Sequence, residues 1–390
     1  MSQSFDASRS LTAFEQDSTL VAVIEMSQST WLVAGAIPGV ERQPLKKLDA
    51  DATALLKLLQ RWRDEARKAG RTVGRIVCAY EAGRDGFWLA RWLRARAIEA
   101  YVIHAASIAV SREHRRAKTD RIDTELLMRV LLGWLRGEKR HCSMVAIPTV
   151  EQEDARRPSR ERENLVGEQT RIVNRVKAVL ALFGIGNFNP RLHKAAKTLE
   201  ALHTAEGTPL PDNAQAELRR DLERLRLVRE QIGAIESERL RRLAAEPAAA
   251  TGPHAMVRLI AGVFGIGIET ADMLVNEVLS RDLRDRRAVA RYAGLTGAPD
   301  ESGKRRREKG LARAGNGRVR CGMIQLAWRF LTWQKDSRLA RWFRERTADG
   351  RKTTRKTMIV ALARKLLIAL WRLATTGQIS EDIKLRPACA

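Results

Sequence analysis

The N-terminal part of the chain alternates short apolar runs with amphipathic stretches. The apolar runs lie at 20–25, 31–37, 75–81 and 100–104 and have the length and composition of buried strands. A short polar stretch separates the first two runs at the spacing of a hairpin. Helical periodicity fills two of the intervals, from 52 to 68 and from 88 to 93. Strands that alternate with helices predict an α/β domain.

The rest of the chain has helical periodicity. Apolar positions recur at helical spacing from 165 to 180 and near heptad spacing from 218 to 243. The second pattern is typical of a short coiled coil and equally of an intramolecular helical hairpin, because the heptads are few. An Ala-rich stretch with prolines at 247–253 predicts a hinge. The pattern at 358–371 predicts an amphipathic helix near the C-terminus.

These changes of pattern predict an architecture of α/β followed by all-α and divide the chain into five segments. The expected segments are a disordered tail at 1–18, the α/β domain at 19–150, a helical linker that contains the coiled-coil candidate at 151–250, a helical C-terminal domain at 251–375 and a tail at 376–390.

Carboxylates occur at the ends of two predicted strands and at the start of a predicted helix. Glu25 and Glu81 each end an apolar run, and Asp120 and Asp123 open the helix that begins at 120. Residues three apart share a helix face, and strand ends meet at the carboxyl edge of an open sheet. Taken alone, each acid is more typical of a solvated strand end or a helix cap than of a metal ligand. Together the four indicate a site for Mg²⁺ or Mn²⁺.

The charge balance predicts a polyanionic partner. The chain carries 71 Lys and Arg against 46 Asp and Glu, a formal net charge of +25, which favours salt-sensitive nucleic-acid binding. The basic residues are concentrated toward the C-terminus. The stretch 303–320 contains eight of them and a single acid, Glu308. The cations of that stretch are Lys304, Arg305, Arg306, Arg307, Lys309, Arg313, Arg318 and Arg320.

A Gly-Ile-Gly tripeptide separates two apolar helical stretches in the C-terminal domain. Gly265 and Gly267 lie between 257–263 and 271–278, the pattern of a helix-hairpin-helix element. Such hairpins contact phosphates through backbone N–H groups without reading sequence. The alternative is a tight turn between two packed helices.

Aromatic and cysteine residues add two further expectations. Trp88 with Trp92 and Trp328 with Trp333 occur at helical spacing, and we expect them in the core rather than as surfaces on which bases stack. The four cysteines lack zinc-site spacing, which favours reduced thiols. Without an apolar signal segment or a stretch able to span a bilayer, we expect a cytoplasmic protein with no membrane partner.

Two separate groups of motifs resemble the DEDD-type transposases of insertion sequences. The first comprises the strand acid Glu25, the Glu-Ala-Gly at 81–83 and the Lys-Thr-Asp-Arg-Ile-Asp at 118–123. The second comprises the motifs at 265–271, 292–295, 301–304 and 315–320. One position departs from the family pattern, because Glu25 stands where the family has Asp. Its extra methylene changes the backbone position from which the carboxylate approaches a cation.

The resemblance implies a fold and a mechanism. It implies an RNase H-like N-terminal domain, similar to Holliday-junction resolvases, and a C-terminal transposase domain in which Ser302 is the nucleophile. It also implies a covalent phosphoserine link to DNA, a structured guide RNA that pairs with donor and target DNA, and a homo-oligomer, dimer or tetramer, with sites shared between subunits.

The residues themselves leave other functions open. A serine in a glycine-flanked polar loop is typical of a turn, and the closest upstream histidine, His254, gives no local support for a Ser-His-Asp triad. A metal-dependent junction resolvase would use the four acids and water, with Ser302 structural. A non-catalytic nucleic-acid-binding protein would need neither.

Overall fold

A computed structural model describes residues 7–83, 86–108, 120–138, 141–247, 251–302, 305–311 and 314–386. The chain divides into two compact units, which comprise Met1–Glu151 and Gln152–Ala390. The first unit is mixed α/β, and the second is mainly helical, so the expected order of α/β followed by helices is confirmed.

The described part of the first unit is built around a six-stranded mixed sheet of order β3-β2-β1-β4-β5-β6. Its elements are β1 Thr19–Met26, β2 Thr30–Ala36, β3 Leu45–Asp49, α1 Ala52–Lys68, β4 Arg75–Glu81, α2 Trp88–Arg94, β5 Glu99–Ile103, a 3₁₀ turn Ala105–Ser107, α3 Asp120–Leu135 and β6 Met144–Val145. Strands β1, β4 and β5 are parallel to one another, and β2 and β6 run antiparallel to their neighbours.

Helices cover both faces of this sheet. Alternate residues of β1 point to opposite faces, so Leu20 and Ile24 pack beneath α1 and α2, whereas Val21 and Val23 pack beneath α3. Because both faces are buried, β1 reads as a continuous apolar run rather than an alternating one. The two faces therefore form separate cores.

The second unit is helical apart from one antiparallel ribbon. Its elements are α5 Arg157–Ala181, α6 Ala195–Glu200, α7 Asp212–Ala245, α8 Pro253–Ala261, α9 Ile268–Leu274, a π-helical turn Val275–Leu279, α10 Arg286–Tyr292, β7 Gly297–Ser302, β8 Arg305–Leu311, α11 Gly317–Trp333, α12 Arg338–Arg346 and α13 Lys352–Thr376; α4 is the short preceding helix Val150–Asp154. The ribbon β7–β8 was not expected from the sequence.

Two cores stabilise the second unit. Helices α5 and α7 pack together through Leu165 and Val176 on one side and Leu218 and Leu225 on the other. The heptad-like apolar positions of α7 are thus covered from within the chain, as in the intramolecular alternative. A coiled coil between subunits stays a prediction. The second core surrounds α13 and is lined by α8 to α12.

Two properties of the described residues bear on the expected environment. None of their helices is long and apolar enough to cross a membrane. Cys78, Cys142 and Cys321 are free thiols. Burial raises the pKa of the Cys78 and Cys142 thiols to about 12, so these two are poor nucleophiles.

Candidate active site and nucleic-acid surface

Two of the predicted metal ligands lie at the C-terminal ends of neighbouring parallel strands, Glu25 as the penultimate residue of β1 and Glu81 as the last residue of β4. Ile24 is the register partner of Tyr80 in the β1–β4 pair. Glu25 and Glu81 each follow one residue later, so they stand side by side where adjacent strands are about 4.8 Å apart. Glu25 is half-buried and Glu81 is exposed.

Strand alternation determines which face these carboxylates share. Val23 and Ala79, two residues before the acids, belong to the core beneath α3. Glu25 and Glu81 therefore lie on the sheet face that α3 covers. Helix α3 begins at Asp120, and Asp123 follows in its first turn. Two of the predicted acids therefore lie on one face of the sheet, and the other two belong to the helix that covers that face.

Three of the four predicted acids have side chains in the described part of the chain. Asp123 is half-buried, whereas the side chain of Asp120 lies outside the described residues. Among the side chains that are described, no group of three or more His, Cys, Asp or Glu is arranged to hold a metal ion. The four-carboxylate site therefore stays a prediction.

The predicted nucleophile lies at the tip of the β7–β8 ribbon. Ser302 ends β7 and is the register partner of Arg305, and Glu301 is the partner of Arg306. The side chains of Ser302, Arg305, Arg306, Arg307 and Lys309, and all of Lys304 and Arg313, lie outside the described part of the chain. The roles predicted for them stay predictions.

The segment after the ribbon is anchored to α10. Gly315 has φ +89°, and an added Cβ would lie 2.6 Å from the backbone nitrogen of Gly294. The Asn316 N–H donates to the carbonyl of Tyr292 at 2.6 Å, and the Asn316 side chain accepts from the Arg318 N–H at 3.0 Å. The Gly-Asn-Gly motif is therefore the tight turn and N-cap that begin α11.

A buried carboxylate lies against this turn. Glu277 is 1% exposed and accepts from Asn316 Nδ2 at 2.9 Å and from Arg160 Nε and Nη2 at 2.7 and 3.1 Å. Burial acts to raise the pKa of Glu277, but the hydrogen bond and charge of Arg160, with Asn316, hold that pKa below its usual range. Glu277 therefore stays charged and links α5 to the start of α11.

Sequence reasoning missed Glu277, although a signal was present. The residue is an acid inside the mainly apolar stretch Val275–Leu279, in which Val275, Val278 and Leu279 are buried. An ionisable residue at such a position needs a partner. That partner, Arg160, is 117 residues away in sequence, so the pairing has no local pattern.

A second ionic cluster joins α5 and α7 to α9. Arg239 is 6% exposed and donates to Ser159 Oγ at 3.1 Å, and it forms ion pairs with Asp272, at 3.2 Å, and with Glu269. Ser159 donates in turn to Asp272 at 2.6 Å. The helical pair α5–α7 is thus fixed to the domain that carries Ser302.

The predicted glycine turn connects α8 to α9. Gly265 has φ +89° and lies against Trp333, and Gly267 is the N-cap residue of α9. The turn between two helices is confirmed, and contact with nucleic acid stays a prediction. Of the predicted phosphate ligands that are described, Arg318 pairs with Glu163, and Arg320 donates to the Ala314 carbonyl at 3.3 Å.

The expected burial of the tryptophans was wrong for three of the four. Trp88, Trp328 and Trp333 are 42%, 38% and 56% exposed. Helical spacing shows that residues share a face, but it does not show whether another element covers that face. Trp92 is half-buried beneath the Arg96 guanidinium, which lies 3.7 Å from the ring centroid.

Comparisons with known proteins cover both units. Residues 41–185 match a DEDD transposase model of the IS110 type, and residues 257–342 match a model described as Transposase IS116/IS110/IS902 family. A protein of Sinorhizobium fredii (strain NBRC 101917 / NGR234) named "Putative transposase y4rJ" is 42% identical over 372 residues, which cover 93% of each chain. The chain therefore belongs to the IS116/IS110/IS902 family of insertion-sequence transposases, which are enzymes that cut DNA.

Proposed function

We propose that this transposase recombines DNA through two sets of residues. Glu25, Glu81, Asp120 and Asp123 bind Mg²⁺ or Mn²⁺ in an RNase H-like N-terminal domain, and Ser302 of the C-terminal domain forms a covalent link to DNA. The observation that carries the metal-site part is the β1–β4 register, which aligns Glu25 with Glu81 on the face beneath the helix of Asp120 and Asp123.

The sheet supports the RNase H-like assignment. Strands β3, β2 and β1 form an antiparallel meander, and the parallel strands β4 and β5 follow through helical connections. The two strand acids stand at the carboxyl ends of β1 and β4, the edge where open α/β sheets place their chemistry. We also propose domain boundaries at 19–150, 151–250 and 251–375.

The donor chemistry of the acidic group fits a hard divalent cation. Glu25, Glu81 and Asp123 offer only carboxylate oxygens, the ligands that Mg²⁺ and Mn²⁺ prefer. When bound, such a cation polarises a scissile phosphate and neutralises developing negative charge. The carboxylates position it, and Glu25 does so with one more methylene than the family's Asp.

In the serine step, one phosphodiester bond replaces another. The Ser302 Oγ–phosphorus bond forms as the bond from phosphorus to the departing DNA oxygen breaks. The serine loses its proton, and the departing oxygen takes one up to become a free hydroxyl. Attack by a hydroxyl of a second strand reverses the step and rejoins DNA. Neighbouring arginine and lysine side chains stabilise the charge on phosphorus oxygens.

The proposed recombination involves both RNA and DNA. A structured guide RNA pairs with donor and target DNA, and the complex acts in the cytoplasm as a homo-oligomer, dimer or tetramer. The net charge of +25 supports extensive phosphate contact. The proposed contacts are Gly265, Gly267, Lys304, Arg305, Arg306, Arg307, Lys309, Arg313, Arg318 and Arg320.

Removing one carboxylate tests the metal site. Asp123→Asn and Glu81→Gln should abolish strand cleavage and weaken Mn²⁺ binding measured by electron paramagnetic resonance, because each removes a charged ligand. Nucleic-acid binding and thermal stability should stay near wild type. Asp64→Asn, at an exposed acid of α1, is the matched control.

Variants of Glu25, which stands where the family has Asp, provide a second test of the metal site. Glu25→Asp should keep cleavage, whereas Glu25→Ala should lose it. Normal cleavage by Asp123→Asn or Glu81→Gln would remove that residue from the proposed site, and a fully active Glu25→Ala would remove Glu25.

A further inference from the structure

Two exposed aromatic rings form a surface at the C-terminal end of α11. Trp333 is 56% exposed, and the neighbouring Phe264 is 38% exposed. Their rings meet edge to face, with centroids 5.7 Å apart. Exposed aromatic clusters on a folded surface are characteristic of binding sites.

The backbone beneath these rings is rigidly held. Gln334 is 3% exposed, and its amide donates to the Phe264 carbonyl at 2.6 Å and accepts from the Lys384 N–H at 2.8 Å. Gly265 fits so closely that an added Cβ would lie 2.9 Å from the Trp333 Cβ. The aromatic surface is therefore formed before any ligand arrives, which lowers the entropic cost of binding.

Two arginines, Arg329 and Arg386, line a cleft of about 500 Å³ to which Ile266 and Gly267, just after Phe264 in the chain, also contribute. Arg329 lies one helical turn before Trp333 and donates to Thr270 Oγ1 at 3.1 Å. Arg386 donates to the Ile266 carbonyl at 2.9 Å. Both acceptors are neutral, so they do not cancel the charge of either guanidinium group.

The acids that line the cleft already have arginine partners. Arg162 lies 2.6 Å from Glu236 and 2.9 Å from Glu269. Arg239, at 6% exposure, also pairs with Glu269. The described lining therefore carries three arginines against two glutamates, and both glutamates pair with Arg162 rather than with Arg329 or Arg386.

We propose that Trp333 is a stacking platform for an unpaired nucleotide, whose base lies on the indole and whose phosphates lie on Arg329 and Arg386. The adjacent cations favour a nucleic acid over an apolar protein segment. Base–aromatic stacking tolerates any base, so single-stranded DNA and RNA share the required chemistry. Duplex bases are already stacked and do not expose a face to the indole.

The first test measures the affinity of the full-length protein for oligothymidylate, oligouridylate and a blunt duplex by fluorescence anisotropy. Trp333→Leu keeps apolar bulk but loses the π-face, so affinity for one or both single strands should fall about tenfold. Trp333→Phe should recover most of that loss, and duplex binding should not change. Comparison of the two single strands identifies the preferred nucleic acid.

A matched control lies on the same helix. The Trp328 ring lies beneath the Arg355 guanidinium, 5.3 Å from the ring centroid, and Trp328→Leu should therefore leave single-strand affinity unchanged. Arg329→Gln should flatten the slope of log affinity against log salt by about 0.7, the value for one lost phosphate contact on a single strand. Trp333→Leu should not alter that slope.

Photocrosslinking gives an independent readout. Single strands that carry 5-iodouracil should label Trp333 in the wild-type protein, as located by mass spectrometry of the digested adduct. Labelling confined to other residues would contradict the proposal. Equal affinities of wild type and Trp333→Leu for both single strands would also overturn it and favour a protein partner for this surface, as would a failure of Trp333→Phe to restore binding.

Discussion

At the scale of single residues, the local pattern predicts where an acid lies along a strand. Glu25 and Glu81 were expected at strand ends because each ends an apolar run, and the β1–β4 register places them side by side. Glu277 was missed because Arg160 and Asn316 reach it from distant helices. A local pattern therefore finds the end of a strand, whereas a buried ion pair depends on tertiary structure.

Replacing Glu277 tests the link between α5 and the start of α11. Glu277→Gln leaves the Arg160 guanidinium without its carboxylate and should lower the free energy of unfolding by about 1–3 kcal/mol. This value lies below the range of about 3–5 kcal/mol for breaking a fully buried pair, because Arg160 is 43% exposed. Chemical denaturation at neutral pH measures the difference, and Glu238→Gln, at an exposed ion pair, should change stability little.

The pH dependence of this difference has a defined sign. The folded-state pKa of Glu277 lies below its ordinary value of 4.5. Its stabilising contribution is therefore present above that value and is lost as the pH falls through the lower folded-state pKa. Wild type and Glu277→Gln should converge in stability in acid. A constant difference across this range would show that the charge of Glu277 is not the cause.

At the scale of elements, the sequence predicts what is buried and periodic and misses what is exposed or short. The expected bounds of α1 and β4 are confirmed, because both have a clear apolar pattern. Strand β3 was missed since four of its five residues are exposed, and β6 has only two residues. The charged strand β8 lacks the alternation that indicates a ribbon.

Packing between β2 and α1 provides a test at this scale. A Cβ on Gly35 would lie 2.6 Å from the ring of Trp62, which is 1% exposed. Gly35→Ala should therefore lower the free energy of unfolding by about 1–3 kcal/mol through overpacking. Gly74→Ala is the matched control, because its added Cβ would meet nothing within 4 Å. Equal unfolding free energies for the two variants would contradict this packing.

At the scale of the whole molecule, two groups of motifs far apart in sequence indicated one family, and the comparisons confirm it. The family is readable from sequence because its motifs are short and local. The exposure of Trp333 was not predicted, since it depends on which helices pack on α11. The proposed guide RNA and oligomer involve other molecules, so they have no pattern of their own in this chain.

In the proposed mechanism, Ser302 becomes covalently joined to DNA. A methyl group cannot replace the attacking hydroxyl, so Ser302→Ala should lose the reaction but still bind nucleic acid through the basic surface. Wild type and Ser302→Ala are incubated with guide RNA, Mg²⁺ and labelled donor and target DNA, and the products are separated under denaturing conditions. A protein–DNA adduct and recombinant DNA should form with wild type only. Recombination that persists in Ser302→Ala would contradict this mechanism and favour hydrolysis by the four carboxylates with water as nucleophile.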